Sequence, residues 1–271
     1  MNTWCRHFCP RTSRLLAYSE KIRRKLSVRG EYLFIASMPK SGSTFMAKAL
    51  EELTGYRYAG LTYGYERDDQ NLYLPKLIDA YTSGTVTHQH VRATGPNTEL
   101  FSRFGIRPVV LTRNIFDVVI SIRDHVLNEG PAFPSFFCDE GFANLDQTLQ
   151  LDFIIELGVP WYYNFYVSWY EASRVGALEA LWLTYDEVVK DWAASLKAVV
   201  DFYGLNYSEQ QIAACIENTR KKRRSETRLN KGVPGRGQSA LSEDQIAKIV
   251  AMSRFYPTVD FTPIGLGRGA G

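Results

Sequence analysis

The chain has 271 residues, 45% of them hydrophobic and 23% charged, which is enough apolar material for one globular α/β domain with a real core. A formal net charge of +3 is too small to point to a nucleic-acid partner, and no run approaches the roughly 18 uninterrupted apolar residues of a membrane-crossing helix. The scattered cysteines (Cys5, Cys9, Cys138, Cys215) and few histidines give no zinc spacing, so reduced thiols in a cytoplasmic protein, and no metal, are expected.

Residues 1–30 are rich in Arg and Lys but lack the hydrophobic centre of a secretory signal, and read as a basic helical lead-in. Such a helix has either a solvated face or one that meets a membrane surface or a partner. Residues 31–271 read as the domain proper. Glu31-Tyr-Leu-Phe-Ile-Ala-Ser37 is a strand that runs through a Gly/Ser turn into a helix beginning near Phe45. Residues 85–91 alternate like a strand, and residues 108–112 form a buried-strand candidate leading into a helix over 115–122. Residues 130–159 carry Pro, Gly and aromatic residues with weak periodicity, as expected of an insertion covering an active site. Residues 180–185 form a last strand, followed by helix over 186–202 that stops at Gly204. Strands alternating with helices imply a single α/β domain, a P-loop-type parallel β-sheet flanked by helices on both faces. Ligands in such sheets bind beyond the carboxyl ends of the strands.

The chemistry-bearing residues fall at those ends. Pro39-Lys-Ser-Gly-Ser-Thr-Phe45 joins the first strand to its helix. Its glycine lets backbone approach an anion, its hydroxyls and amides donate, and the helix N-terminus favours negative charge. It differs from the standard nucleotide-triphosphatase loop, in which the lysine follows the second glycine; Lys40 precedes Gly42. In Leu111-Thr-Arg-Asn-Ile-Phe-Asp-Val-Val-Ile-Ser-Ile122, Arg113 stands at a strand end and Ser121 about two helical turns on, so a guanidinium and a hydroxyl can converge on one phosphate.

Together these elements resemble the PAPS-dependent sulfotransferase family, whose donor is 3′-phosphoadenosine 5′-phosphosulfate (PAPS) and whose product is adenosine 3′,5′-bisphosphate (PAP). The first element is similar to that family's P-K-S-G-T-T-W, with Ser43 and Phe45 replacing Thr and Trp. The resemblance implies that Lys40 engages the leaving phosphate and the sulfonate, that Ser41, Gly42, Ser43 and Thr44 bind the phosphosulfate, and that Phe45 stacks on adenine. The second element matches R-N-x-x-D-x-x-x-S at Arg113, Asn114, Asp117 and Ser121, and implies a 3′-phosphate site at Arg113 and Ser121. Leu229-Asn-Lys-Gly-Val-Pro-Gly235 resembles the family's R-K-G-x-x-G loop at Lys231, Gly232 and Gly235; Asn230 replaces the arginine, a role open to Arg228 or Arg236. Tyr185 matches the strand-end tyrosine beside adenine, and Thr219 an adenine-side hydroxyl. The run Arg220-Lys-Lys-Arg-Arg224 reads as a solvated helix end.

Sulfonate transfer to an alcohol needs a group that takes the hydroxyl proton, and histidine suits it. In Thr87-His-Gln-His-Val-Arg92, alternation places His88 and His90 on one strand face. His90, in an H-x-R context similar to the family's, reads as the base and His88 as an auxiliary donor; the reverse stays open. The aromatic cluster over 160–170 suits an acceptor pocket or a core helix, with Trp161, Phe165 and Trp169 at core-helix spacing. The acceptor is a small molecule, a carbohydrate or a lipid-linked headgroup, and the oligomeric state is left open. A kinase with a variant P-loop and a non-catalytic adenine-nucleotide-binding module are the competing readings.

Overall fold

The computed structural model describes residues 31–63, 69–80, 84–223 and 235–267. The basic lead-in with Cys5 and Cys9, and Lys231 and Gly232 of the third motif, lie outside the described residues. The strands are β1 (Tyr32–Ser37), β2 (Arg57–Tyr58), β3 (Thr85–Gln89), β4 (Pro108–Thr112) and β5 (Leu181–Thr184). The helices are α1 (Ser43–Thr54), α2 (Leu74–Ala80), α3 (Gly95–Phe104), α4 (Ile115–Glu129), α5 (Gln147–Phe153), α6 (Val159–Arg174), α7 (Tyr185–Lys190), α8 (Trp192–Phe202), α9 (Glu209–Arg223), α10 (Arg236–Ala240) and α11 (Glu243–Ala251).

The sheet has five strands in the order β2-β3-β1-β4-β5, and every pairing is parallel. β1 is central and buried at every position, which explains why its sequence is an unbroken apolar run. Its alternation feeds two cores. Phe34 and Ala36 join Phe101, Val110, Val118 and Trp169 on one face, under α3, α4 and α6. Leu33 and Ile35 join Phe45, Leu50, Leu111, Leu196 and Ile216 on the other, under α1, α8 and α9. The expected α/β sheet with helices on both faces is therefore what the chain builds. Trp161, Phe165 and Trp169 are buried, and Trp169 Nε1 donates to the Val91 carbonyl at 2.9 Å, so the aromatic face of α6 is largely core.

Two local expectations are corrected. The helix over 186–202 breaks at Asp191, whose backbone is extended (φ −147) while its carboxylate accepts from Ala194 N at 2.9 Å and so starts α8. An internal N-cap splits a pattern that periodicity alone reads as continuous. The insertion over 130–159 is not mostly irregular: it holds a 3₁₀ turn at Glu140–Asn144, the short α5 capped by Asp146, and a π-helical turn at Ile154–Gly158 that runs into α6.

Candidate active site

The loop between β1 and α1 has left-handed backbone at alternate positions, Lys40 (φ 68) and Gly42 (φ 85). Such alternation gathers successive N–H groups into a concavity suited to an anion. Among the described residues Lys40 is the one non-glycine at positive φ, a conformation that costs about 1–2 kcal/mol. Two contacts hold it there. Ser41 donates its hydroxyl to the Met38 carbonyl at 2.6 Å, and Arg113 Nη1 donates to the Lys40 carbonyl at 2.6 Å. Gly42 is constrained twice, by its φ and by Tyr185, whose ring would lie 3.2 Å from an added Cβ. α1 has no side-chain N-cap; Phe45 N–H turns back to the Gly42 carbonyl at 3.1 Å, and the positive end of the helix favours an anion at the loop. Ser43 is buried and Thr44 half-buried at that terminus.

Arg113 leaves β4 and is buried, with its guanidinium carbon 4.2 Å from the centre of the Tyr185 ring at the end of β5. Burial lowers its pKa, and Arg236 pushes the same way, against Tyr185 and Asp117. Its Nε is buried and has no partner among the described residues, and the same holds for Arg236 Nε, although Arg236 Nη2 donates to Asp124 Oδ2 at 3.2 Å. Asn114 caps α4 by accepting from Phe116 N at 3.0 Å. Asp117 works on the backbone instead. Its carboxylate accepts from Gly235 N and Gly237 N, each at 2.7 Å, and thereby ties the end of the third motif and the residues after it to α4. Gly237 is needed there, because a Cβ would lie 2.2 Å from the Phe116 carbonyl carbon. Ser121 is buried on α4, one turn beyond Asp117.

The two histidines of the β3 motif part company. His90 Nδ1 lies 2.8 Å from the Ser37 carbonyl, an obligate acceptor, and 3.2 Å from Ser37 Oγ. The ring therefore carries its hydrogen on Nδ1 and its lone pair on Nε2, which stands 3.8 Å from Asp69 Oδ2. The same Asp69 oxygen accepts from His90 N at 3.3 Å. His88 pairs in register with Ile35, behind Ser37, and its ring lies 5.4 Å from the ring of Tyr58 on edge strand β2.

Other predicted residues sit less simply. Phe45 is buried and packs on Trp192 with ring centres 4.1 Å apart, so its ring belongs to the core beneath α8 as well as to the cradle. Trp192, which also comes within 3.7 Å of an added Cβ at Gly42, escapes sequence reading because it stands alone after the Asp191 cap. Thr219 is buried on α9, 4.0 Å from Cys215 Sγ, and Cys215 in turn donates to the Ala49 carbonyl of α1. Tyr162 of α6 donates to the Pro39 carbonyl at 3.3 Å from full burial, which holds its phenol pKa high. A third histidine, which no motif marks, reaches the cradle: His125 Nδ1 lies 3.5 Å from Lys40 Nζ and 3.2 Å from Glu129 Oε1. Spacing is the signal that finds it, since Asp117, Ser121, His125 and Glu129 recur every fourth residue on one stripe of α4. Among the described residues no cluster of three or more His, Cys, Asp or Glu side chains is placed to hold a metal, and no helix is long and apolar enough to cross a membrane.

The cradle, Arg113, Tyr185 and His90 thus meet at the carboxyl ends of four neighbouring strands, and the sequence carrying them matches the sulfotransferase domain over residues 31–248. The chain belongs to the sulfotransferase domain family. Solved structures share its fold at low identity. A mouse sulfotransferase, SULT7A1, complexed with PAP, is 15% identical with a TM-score of 0.62, covering 89% of this chain and 88% of that one. A retinol dehydratase in complex with androsterone and PAP is 16% identical with a TM-score of 0.54, covering 89% of this chain and 85% of that one. The retinol dehydratase complex with retinol and PAP is 15% identical, with a TM-score of 0.54 over 89% and 85% of the two chains. No curated protein matches the sequence significantly.

Proposed function

We propose that this sulfotransferase moves the sulfonate of PAPS to a hydroxyl of a small-molecule acceptor and releases PAP. The observation that carries the reading is the junction at Arg113. One guanidinium grips the Lys40 carbonyl of the cradle, lies against Tyr185, and keeps a buried Nε without a partner among the described residues, near Arg236, whose Nε is in the same condition. Two buried N–H donors left unpaired beside like charge are costly unless an anion answers both. A 3′-phosphate fits them, with Arg236 taking the role that Asn230 vacates, and with Ser121, Lys231 and Gly232 completing that end. The 5′ side falls to Lys40, Ser41, Gly42, Ser43 and Thr44, and the adenine to Tyr185, Phe45 and Thr219, with Trp192 behind them.

PAPS supplies the activated S–O bond to its phosphate. His90 Nε2 takes the acceptor proton as the new S–O bond forms, and Asp69 stabilises the imidazolium that results. The Lys40 ammonium offsets the charge that grows on the leaving phosphate oxygen. His88 keeps an auxiliary place behind the base. The acceptor side is supported by the insertion: Phe133 lies 5.5 Å from His125 and 5.2 Å from Phe136, so aromatic rings stand next to the group that touches Lys40. The androsterone and retinol of the similar structures fit that apolar wall as a class, and carbohydrate or lipid-linked alcohols are competing outcomes of the test.

The test is sulfonate transfer from labelled PAPS to a broad acceptor panel read by mass spectrometry, together with PAP binding by calorimetry. Transfer that disappears in Lys40→Ala is expected. No PAP binding combined with magnesium-dependent ATP turnover would establish the kinase alternative, and PAP binding without transfer to any acceptor the non-catalytic one.

A further inference from the structure

The Lys40 side chain is not left to solvent. Its ammonium lies 3.5 Å from His125 Nδ1 and 3.9 Å from Glu129 Oε1, and those two groups are 3.2 Å from each other. His125 is held from its other side, where Nε2 lies 3.4 Å from the Ala132 carbonyl, an obligate acceptor. That contact favours hydrogen on Nε2 and a lone pair on Nδ1, which can accept from the lysine. Both residues belong to the α4 stripe that begins at Asp117, one turn apart. At the far end of the lysine, Arg113 fixes the backbone carbonyl and the left-handed φ fixes its direction. The four-carbon stem is therefore caught at root and tip.

We propose that His125 is a positioning residue for Lys40, its Nδ1 and the Glu129 carboxylate acting as two acceptors that aim the ammonium between them at the leaving phosphate oxygen and keep it there while sulfur moves. The inference rests on the PAPS reading above. Holding a flexible lysine in advance removes rotamer entropy that would otherwise be lost in the transition state. The Glu129 carboxylate, 3.9 Å from the ammonium, gives it a second acceptor on the α4 side. An ammonium offers three hydrogens, so it can serve more than one acceptor at once. His125 also touches Phe133 of the insertion, ring to ring at 5.5 Å, which places this brace at the boundary between donor cradle and acceptor wall.

The experiment avoids the unknown acceptor by letting water take the sulfonate. Full-length enzyme is mixed with ³⁵S-labelled PAPS alone, and sulfate release is followed with PAP as the other product; PAP affinity and thermal midpoint are measured in parallel. His125→Phe keeps the ring and loses the acceptor, whereas His125→Asn puts an amide oxygen where Nδ1 stands. His125→Phe is expected to slow sulfate release at least about tenfold, the rate equivalent of one lost hydrogen bond to a charged group, with the PAP dissociation constant within about twofold. His125→Asn is expected to recover the rate to within about threefold of the parent, which a mere packing role for the ring would not produce. Sulfate release by His125→Phe at the parent rate, or a loss in His125→Asn as deep as in His125→Phe, overturns the assignment while leaving the donor reading intact. A parent enzyme that does not bind PAP overturns the donor reading, and this one with it.

Discussion

Replacing Asp117 by Asn tests whether that residue acts as an anchor and not as a ligand. The carboxylate is buried, and each of its oxygens accepts one backbone N–H at 2.7 Å, from Gly235 and Gly237. An asparagine keeps the shape but presents one NH₂ to a backbone donor, so one charge-assisted bond is lost and two donors face each other. One such bond contributes about 1.5–3 kcal/mol, and in a protein of this size each kcal/mol moves the thermal midpoint by about 2–4 °C. The expected fall is therefore about 3–12 °C. The same change frees the segment that carries Arg236, so the PAP dissociation constant should rise at least about tenfold, corresponding to 1.4 kcal/mol or more. Gly237→Ala reaches the same segment by another route, since its Cβ would lie 2.2 Å from the Phe116 carbonyl carbon. Scanning fluorimetry with and without PAP, and calorimetry, read both effects. If Asp117→Asn lowers the midpoint but Gly237→Ala and Asp117→Asn both bind PAP like the parent, the coupling between this anchor and the 3′ side is refuted.

Other outcomes follow from the same geometry. Arg113→Lys keeps a charge but loses the fork that spans the Lys40 carbonyl and the Tyr185 face, and should weaken PAP binding roughly a hundredfold in calorimetry. Gly42→Ala should cost about 1–2 kcal/mol in denaturant unfolding and also impair PAP binding, because its left-handed φ and its contact with Tyr185 leave no relaxed alternative. His90→Ala should lower turnover by about a hundredfold or more, well beyond the effect of His88→Ala; near-normal turnover in His90→Ala would move the base to His88. Asp69→Asn should reduce turnover with PAP affinity unchanged, a split that steady-state kinetics and calorimetry together detect.

How far the sequence speaks depends on whether a residue's role is local. The strand-turn-helix signals around Ser37, Thr112 and Thr184 are local, and they are found where the runs of apolar residues end. The break at Asp191 is also local, but a capping aspartate inside an apolar-periodic stretch competes with the periodicity and loses in a sequence reading. Asp69 and Trp192 are legible only once the sheet is folded, because each joins the site from an element that carries no motif. Asp117 shows the opposite limit: the motif marks it, yet only its contacts with Gly235 and Gly237 reveal that it binds the protein's own backbone. His125 lies between these cases, since the four-residue spacing puts it on the Asp117 stripe of α4 but only the fold brings that stripe to Lys40.

The contacts also explain why the departures from the family pattern are tolerable. The cradle does not rely on its sequence alone for shape. Lys40 adopts a strained backbone because Arg113, from a neighbouring strand end, bonds its carbonyl, and Tyr162 bonds the carbonyl of Pro39 just before it. Substituting Ser43 for threonine or Phe45 for tryptophan changes neither contact. The segment proposed to hold the 3′-phosphate is secured in the same indirect way, by Asp117 holding the backbone N–H groups of Gly235 and Gly237, so that the loss of an arginine at position 230 leaves Arg236 still carried on an anchored segment. Because Arg113 takes part in both halves, bonding the cradle and standing beside Arg236, a disturbance at either phosphate end should be felt at the other. Double-mutant coupling between Lys40 and Arg236 in PAP binding measures this directly: separate sites would give additive losses, whereas a shared Arg113 predicts a coupling of about 0.5 kcal/mol or more.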